Sequence, residues 1–181
     1  MLLDLFPLNS VIFPHQKLPL NIFEPRYLKL IENCHKESCA FGVCLIKEGK
    51  EVGAPAMPFK TGTSVIITEF EKVSDSLFHI MVQGEKRFRI ERFIQEQPHI
   101  RVEIEWLDDK IPNFPGDYQA LRKTLSVLLN DQVEIPENNN TFFGLLGALI
   151  AANTQAKQEI LEAPVNEVIP ALTGFMESII R

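Results

Sequence analysis

The chain has 181 residues, 45% hydrophobic and 23% charged, which is typical of a globular protein that buries a real core. Its 18 basic and 24 acidic residues give a net charge of -6, a sign that disfavours nucleic-acid phosphates and anionic lipid as partners. No apolar run reaches the roughly 20 residues that span a bilayer, and the first residues do not form a signal peptide. We therefore expect a cytoplasmic protein without membrane contact.

Prolines divide the opening of the chain into short extended segments. These prolines are Pro7, Pro14 and Pro19. Each of them lacks a backbone N–H donor and disfavours helix at the residue before it. Pro25 is different, because apolar residues recur after it at helical spacing, beginning with Tyr27 and Leu28. Proline is well tolerated at the first position of a helix. The sequence thus predicts extended segments that lead into a helix at Pro25.

The middle of the chain predicts β-strands. Residues 64–70 and 77–82 are rich in β-branched and aromatic residues and flank the turn-like residues 74–76, so we expect them to pair antiparallel. Residues 100–106 alternate apolar with charged side chains, which is typical of a strand with one buried face. We read residues 83–86 as a link between two strands, in which Gly84 takes a positive φ.

The composition changes after Trp106. Residues 108–117 contain two prolines and a glycine among polar residues, which is the composition of a connector, and we place the connector at residues 110–116. Leucines then recur at helical spacing, and three further apolar segments follow. We therefore predict an α+β protein, with a β-rich lobe carrying one helix over residues 1–109 and a C-terminal helical bundle over residues 117–181.

Several separated motifs resemble the substrate-binding domain at the N-terminus of ATP-dependent Lon proteases. They begin with the run Phe23-Glu24-Pro25-Arg26-Tyr27. The others are Phe41-Gly42-Val43, Gly62-Thr63, the set Val82, Gly84, Arg87 and Phe88, and the helical stretch Lys157-Gln158-Glu159-Ile160-Leu161-Glu162. The resemblance covers nearly the whole chain. It implies a twisted sheet closing towards a small pseudo-barrel, like the architecture of RNA-binding domains associated with pseudouridine synthases (PUA-like).

The same resemblance implies a function in binding polypeptide. The sequence contains neither the Gly-x-x-x-x-Gly-Lys-Ser/Thr loop that cradles nucleotide phosphates nor room for the family's Ser-Lys peptidase domain. We therefore expect a non-catalytic module that binds unfolded or partner polypeptides, as a free-standing adaptor or regulator of proteolysis. A protease is among the partners to consider.

No cofactor, metal site or catalytic residue is expected. The spacing of Cys34, Cys39 and Cys44 fits neither a disulfide framework nor the Cys-x-x-Cys pairs of structural zinc, and buried thiols explain it. The four histidines form no zinc-binding helix motif, and no Gly-x-Ser-x-Gly elbow is present. A hydrolase triad assembled in space stays an alternative, because such triads are defined by geometry.

Four residues of the proline-rich opening are the candidate polypeptide-binding residues: Phe13, Pro14, Phe23 and Tyr27. Their rings lie on short segments that do not all fit a regular buried sheet, and apolar grooves and strand edges bind extended peptides. The alternative is that these rings pack between the helix and the sheet, since phenylalanine is mostly buried.

Charged residues form a second candidate set. Glu24 can pair with Arg26 or Arg87 and so fix the start of the helix, after Pro25, to the strand link at Gly84. We prefer this structural role to ligand binding. RNA binding is a rival function, through a local basic strip made of Lys86, Arg87, Arg89, Arg92 and Arg101.

Overall fold

The computed structural model describes residues 1–53, 56–107, 139–149 and 154–164, together with residues 119, 122–123, 125–126, 135 and 167. Among these residues the strands are β1 (Leu2–Leu8), β2 (Lys17–Ile22), β3 (Phe41–Glu48), β4 (Met57–Ser74), β5 (Leu77–Gln95) and β6 (Arg101–Trp106). The helices are α1 (Pro25–Glu37), α2 (Asn139–Leu149) and α3 (Thr154–Glu162). The β-rich N-terminal region confirms that part of the predicted α+β fold.

The six strands form one sheet that closes on itself. Their order is β2-β5-β4-β3-β1-β6, and β6 pairs in turn with β5. The closure is possible because β5 is 19 residues long: most of it pairs with β4, and its end, from Phe88 to Gln95, pairs with β6. The ring of β5, β4, β3, β1 and β6 is therefore a small barrel, and β2 lies outside it against β5.

Two apolar cores hold this sheet. The first fills the inside of the barrel, where alternate strand residues point inwards from every wall, including Leu5, Phe88 and Val102, each fully buried. The second lies between the sheet and α1, where Tyr27, Leu30, Ile31 and Cys34 form the buried face of the helix. The periodicity of the sequence thus identifies the buried faces of the barrel strands and of α1.

Helix α1 begins at Pro25, as predicted. Glu24 has extended backbone angles and Pro25 occupies the first turn, where a missing N–H leaves no bond unmade. The helix ends at Ser38, a left-handed residue whose N–H is bonded to the carbonyls of Cys34 and His35. This end places α1 next to the start of β3.

The prediction that residues 83–86 link two strands is wrong. Strand β5 runs without interruption through these residues, and the positive-φ glycines among the described residues are Gly49 and Gly53, not Gly84. Gly84 is needed for a different reason. A Cβ on it would lie 2.3 Å from the carbonyl oxygen of Phe13, so the position requires a residue without a side chain.

The proposed connector and much of the C-terminal helical lobe fall outside the described residues. Helices α2 and α3 lie within the predicted lobe. The boundary at residue 109, the connector at 110–116 and the bundle over 117–181 remain predictions.

Candidate functional site

Phe13 and Pro14, two of the predicted binding residues, lie in the interior. The Phe13 ring is fully buried and Pro14 is buried beside it. Their segment, residues 11–16, is fixed by bonds from both directions: the N–H of His15 donates to the carbonyl of Gly84, whose own N–H donates to Gln16. The hydroxyl of Thr63 donates to the carbonyl of Ile12 at 2.6 Å.

Glycines on two sides make room for this segment. Gly84 of β5 lies against the Phe13 backbone, and Gly147 of α2 lies against the Phe13 ring, where an added Cβ would come within 2.3 Å of the ring. Gly144 lies one turn earlier in α2, and a Cβ added to it would come within 2.6 Å of the carbonyl oxygen of Pro14. Phe13 and Pro14 therefore join α2 to the barrel.

Tyr27 and Phe23 have different environments. Tyr27 is 4% exposed and packs edge-to-face on Phe6, with ring centroids 4.4 Å apart. Phe23 is 54% exposed and borders a cavity of about 60 Å³, which has room for about two water molecules. Of the four predicted binding residues, Phe23 alone presents its ring to solvent, and this cavity is too small for a large side chain. Polypeptide binding by these residues remains a prediction.

The predicted charged set divides into two structural roles. Glu24 pairs with Arg26 at 2.9 Å, so this ion pair joins neighbours at the start of α1 and does not reach Gly84. Arg87 is only 3% exposed and points to another element, donating at 2.8 Å to the carbonyls of both Leu161 and Ala163. These carbonyls belong to the end of α3, where the helix has no N–H partners of its own and its dipole favours a cation.

Gln158 provides a second bond between α3 and the barrel. Its amide nitrogen donates to the carbonyl of Thr61 at 3.0 Å and to the carboxylate of Glu162 at 2.9 Å. Thr61 is where the pairing of β4 with β5 ends, since Thr61 opposite Arg89 is the last pair in that register. Arg87 and Gln158, both from motifs that carry the family resemblance, thus hold the end of α3 at this point of the barrel.

Beyond this pair the two strands separate. Residues 57–60 of β4 continue alongside β3 only, whereas β5 turns to pair with β6. Among the described strands, residues 57–60 have no partner on the side that faced β5. The barrel wall is therefore open here. We call this opening the β4–β5 cleft.

The β4–β5 cleft is large and mainly apolar. Its volume is about 540 Å³, within the range of sites that bind ligands. Met57 and Phe93, which are 54% and 41% exposed, both line it. The remaining lining residues are Lys47, Ala56, Pro58, Phe59, Lys60, Glu96, Ile100 and Glu162. The cleft can thus accept several apolar side chains beside a strand edge.

Sequence reasoning did not find this cleft. Residues 57–60 combine methionine, proline, phenylalanine and lysine in no period of two, so nothing marks them as the wall of a site. The one available signal is the proline, because prolines in sheets are confined to edges and bulges. Pro58 lies where β4 loses one of its neighbours, and the β3–β4 register shifts on both sides of it.

The other predicted chemistry can be compared with the structure. Cys34 and Cys44 are buried, and burial raises the pKa of both thiols, so they are poor nucleophiles and metal ligands. Among the described residues, no three His, Cys, Asp or Glu side chains are grouped to hold a metal ion. Within that part of the chain, no helix has both the length and the apolar character needed to cross a membrane.

Three of the five residues of the predicted basic strip are buried or paired. Arg87 is buried, Arg92 pairs with Glu103 at 2.9 Å, and Arg101 forms a two-pronged bond with Asp4. Burial by itself raises the pKa of Asp4, but the bond and charge of Arg101 and the charge of His99 outweigh it, so that pKa is lowered. These arginines offer little free charge to RNA phosphates.

Comparison with known proteins identifies the family. A model of the ATP-dependent protease La (Lon) substrate-binding domain matches residues 3–165. The chain therefore belongs to this family, as the sequence motifs predicted. Lon protease 2 of Myxococcus xanthus is 30% identical over 176 residues, covering 88% of this chain and 21% of that protein. Lon protease of Desulfovibrio desulfuricans is also 30% identical, over 88% of this chain and 20% of its own length.

The solved structures agree with the fold. The Lon N-terminal domain protein from Xanthomonas campestris superposes with a TM-score of 0.76 at 25% identity, covering 96% of this chain and 98% of that chain. The N-terminal domain of Lon protease from the Mycobacterium avium complex has a TM-score of 0.71 at 14% identity, which shows the fold alone. The chain spans about a fifth of the length of the curated relatives it matches.

Proposed function

We propose that this protein binds unfolded or partner polypeptides in the β4–β5 cleft, as a non-catalytic adaptor or regulator of proteolysis in the cytoplasm. The observation that carries the proposal is the opening of the barrel wall, where one side of residues 57–60 has no partner among the described strands, next to exposed Met57 and Phe93. The family description, a substrate-binding domain, supports the same class of ligand.

The physical argument favours an extended segment. Main-chain groups of residues 57–60 can bond to an added strand, although Pro58 supplies no N–H and so shortens the ladder. Most of the affinity then comes from apolar side chains entering the cleft, whose volume of about 540 Å³ is nine times that of the cavity beside Phe23. Such binding requires an apolar segment that the partner exposes, as unfolded chains do.

Fluorescence anisotropy tests this proposal with reduced, carboxymethylated α-lactalbumin, a permanently unfolded chain, as the labelled probe. We expect Phe93→Ala to weaken binding at least about fivefold, since an aromatic ring that lines a site commonly contributes more than 1 kcal/mol. Ile94→Ala is the matched control, because Ile94 is next in the chain and 45% exposed but does not line the cleft.

Urea unfolding of both variants shows whether either change disturbs the fold. Equal affinities of the two folded variants for the probe, or no binding by the unmodified protein, would contradict polypeptide binding at this cleft.

A further inference from the structure

The lining of the β4–β5 cleft carries both signs of charge. Lys47 and Lys60 belong to β3 and β4, which pair with each other, and Glu96 follows directly after β5. Glu162 lies at the end of α3, where it accepts a bond from Gln158. All four residues are exposed. The charged residues that line the cleft are thus neutral in sum, in a chain whose net charge is -6.

These charges are available to a ligand. Some charged groups elsewhere in the protein are paired, as in Arg26 with Glu24 and Arg92 with Glu103. In the part of the chain that the structure describes, Lys47, Lys60 and Glu96 form no ion pair with each other or with another residue. Among the described residues, no ion-pair partner therefore competes with a ligand for these three side chains.

We propose, building on the proposed function, that the cleft selects apolar segments that carry both an acidic and a basic residue. A purely apolar segment covers Lys60 and Glu96 without pairing them, and removing a charge from water without a partner costs free energy. A segment with charges of one sign can pair with the lysines only or with the glutamates only. A segment with both signs can pair with both kinds of residue, and such complementarity is the usual source of specificity between charged surfaces.

Four labelled ten-residue peptides test this selection at low salt. They share one apolar core and differ in flanking residues: one glutamate and one lysine, two glutamates, two lysines, or two serines. We expect the mixed peptide to bind tightest, by about twofold to fivefold per satisfied charge, as for exposed ion pairs. The overall negative charge of the protein would instead favour the lysine peptide, so the ranking separates local from global electrostatics.

A charge reversal locates the effect. Lys60→Glu should weaken binding of the glutamate peptide and strengthen binding of the lysine peptide. Lys86→Glu makes the same change in net charge at an exposed residue outside the cleft, so it serves as the control. In 1 M salt, where the screening length falls to about 3 Å, the differences among peptides should shrink.

The outcomes are distinct. Similar affinities for all four peptides, or equal effects of Lys60→Glu and Lys86→Glu, would overturn the charge selection and leave polypeptide binding intact. Absence of binding by every peptide and by unfolded α-lactalbumin would overturn the proposed function itself.

Discussion

Two aromatic–proline pairs have different neighbours in this barrel. Phe13-Pro14 is buried between β5 and α2, whereas Pro58-Phe59, a buried proline and a half-buried phenylalanine, lines the β4–β5 cleft. Their composition is the same. The partners differ, since glycines at positions 84, 144 and 147 close over the first pair, while the strand beside the second pair turns away to β6.

The difference shows that an aromatic ring becomes buried or exposed according to what faces it. Glycines opposite Phe13 let two backbones approach and exclude water from the ring. The end of the β4–β5 pairing at Thr61 has the reverse effect, because beyond it Met57 of β4 and Phe93 of β5 are 54% and 41% exposed. Aromatic content in a proline-rich segment therefore does not by itself identify a binding site.

The largest expected effect is the difference in stability loss between a buried and an exposed phenylalanine. Phe13→Ala should lower the free energy of unfolding by about 3–5 kcal/mol, since it leaves a cavity in a fully buried site. Phe23→Ala, at a ring that is 54% exposed, should lower it by less than about 1 kcal/mol. Urea unfolding measures both, and equal losses would show that Phe13 does not hold the interior as described.

A double-mutant cycle sharpens the role of the glycines. Gly147→Ala should cost about 1–3 kcal/mol in the unmodified protein, because the new Cβ meets the Phe13 ring. In the Phe13→Ala background the same change should be neutral or stabilising by up to about 1 kcal/mol, since alanine favours helix over glycine. An unchanged cost in that background would disprove the contact.

A smaller effect on the free energy of unfolding is expected for charged residues, and it should differ between paired and unpaired charges. Asp4→Asn should lower the free energy of unfolding by about 1 kcal/mol, because it breaks the two-pronged bond to Arg101. Lys60→Ala, which removes a cleft charge that pairs with no described residue, should change it by less than about 0.5 kcal/mol. Urea unfolding at pH 7 measures the two variants, and a Lys60→Ala loss as large as that of Asp4→Asn would contradict the distinction.

The pH dependence of the stability follows from the bond between Asp4 and Arg101. The folded pKa of Asp4 is lowered from its ordinary value of 3.8, so its contribution to stability is present above that value and is lost as the pH falls through the folded pKa. The difference between the unmodified protein and Asp4→Asn should therefore shrink in acid below pH 3.8. A difference that stays constant down to pH 2 would contradict the assignment.

Local patterns were sufficient for several elements. The start of α1 at Pro25, the antiparallel pairing of β4 with β5 and the buried face of β6 each follow from residues close in the sequence. The family motifs also identified the family. Gly84 was misread because a glycine that permits close approach looks the same in sequence as a glycine that permits a turn.

The cleft depends on contacts between residues far apart in the chain. It exists because β5 exchanges β4 for β6 near Arg89, and such a change of partner leaves no mark in the local alternation of side chains. The same applies to Arg87, whose bonds to the end of α3 span more than 70 residues. Sequence alone predicts which residues are apolar or charged, but not which strand end loses its neighbour.

Backbone amide chemical shifts of ¹⁵N-labelled protein, titrated with the mixed-charge peptide, test the central claim most directly. If polypeptide binds in the β4–β5 cleft, the largest changes should fall on residues 57, 59–60 and 91–96, with little change at the exposed turn around residues 74–76 or beside Phe23. Shifts concentrated at that turn or around Phe23, with the cleft residues unchanged, would contradict the account.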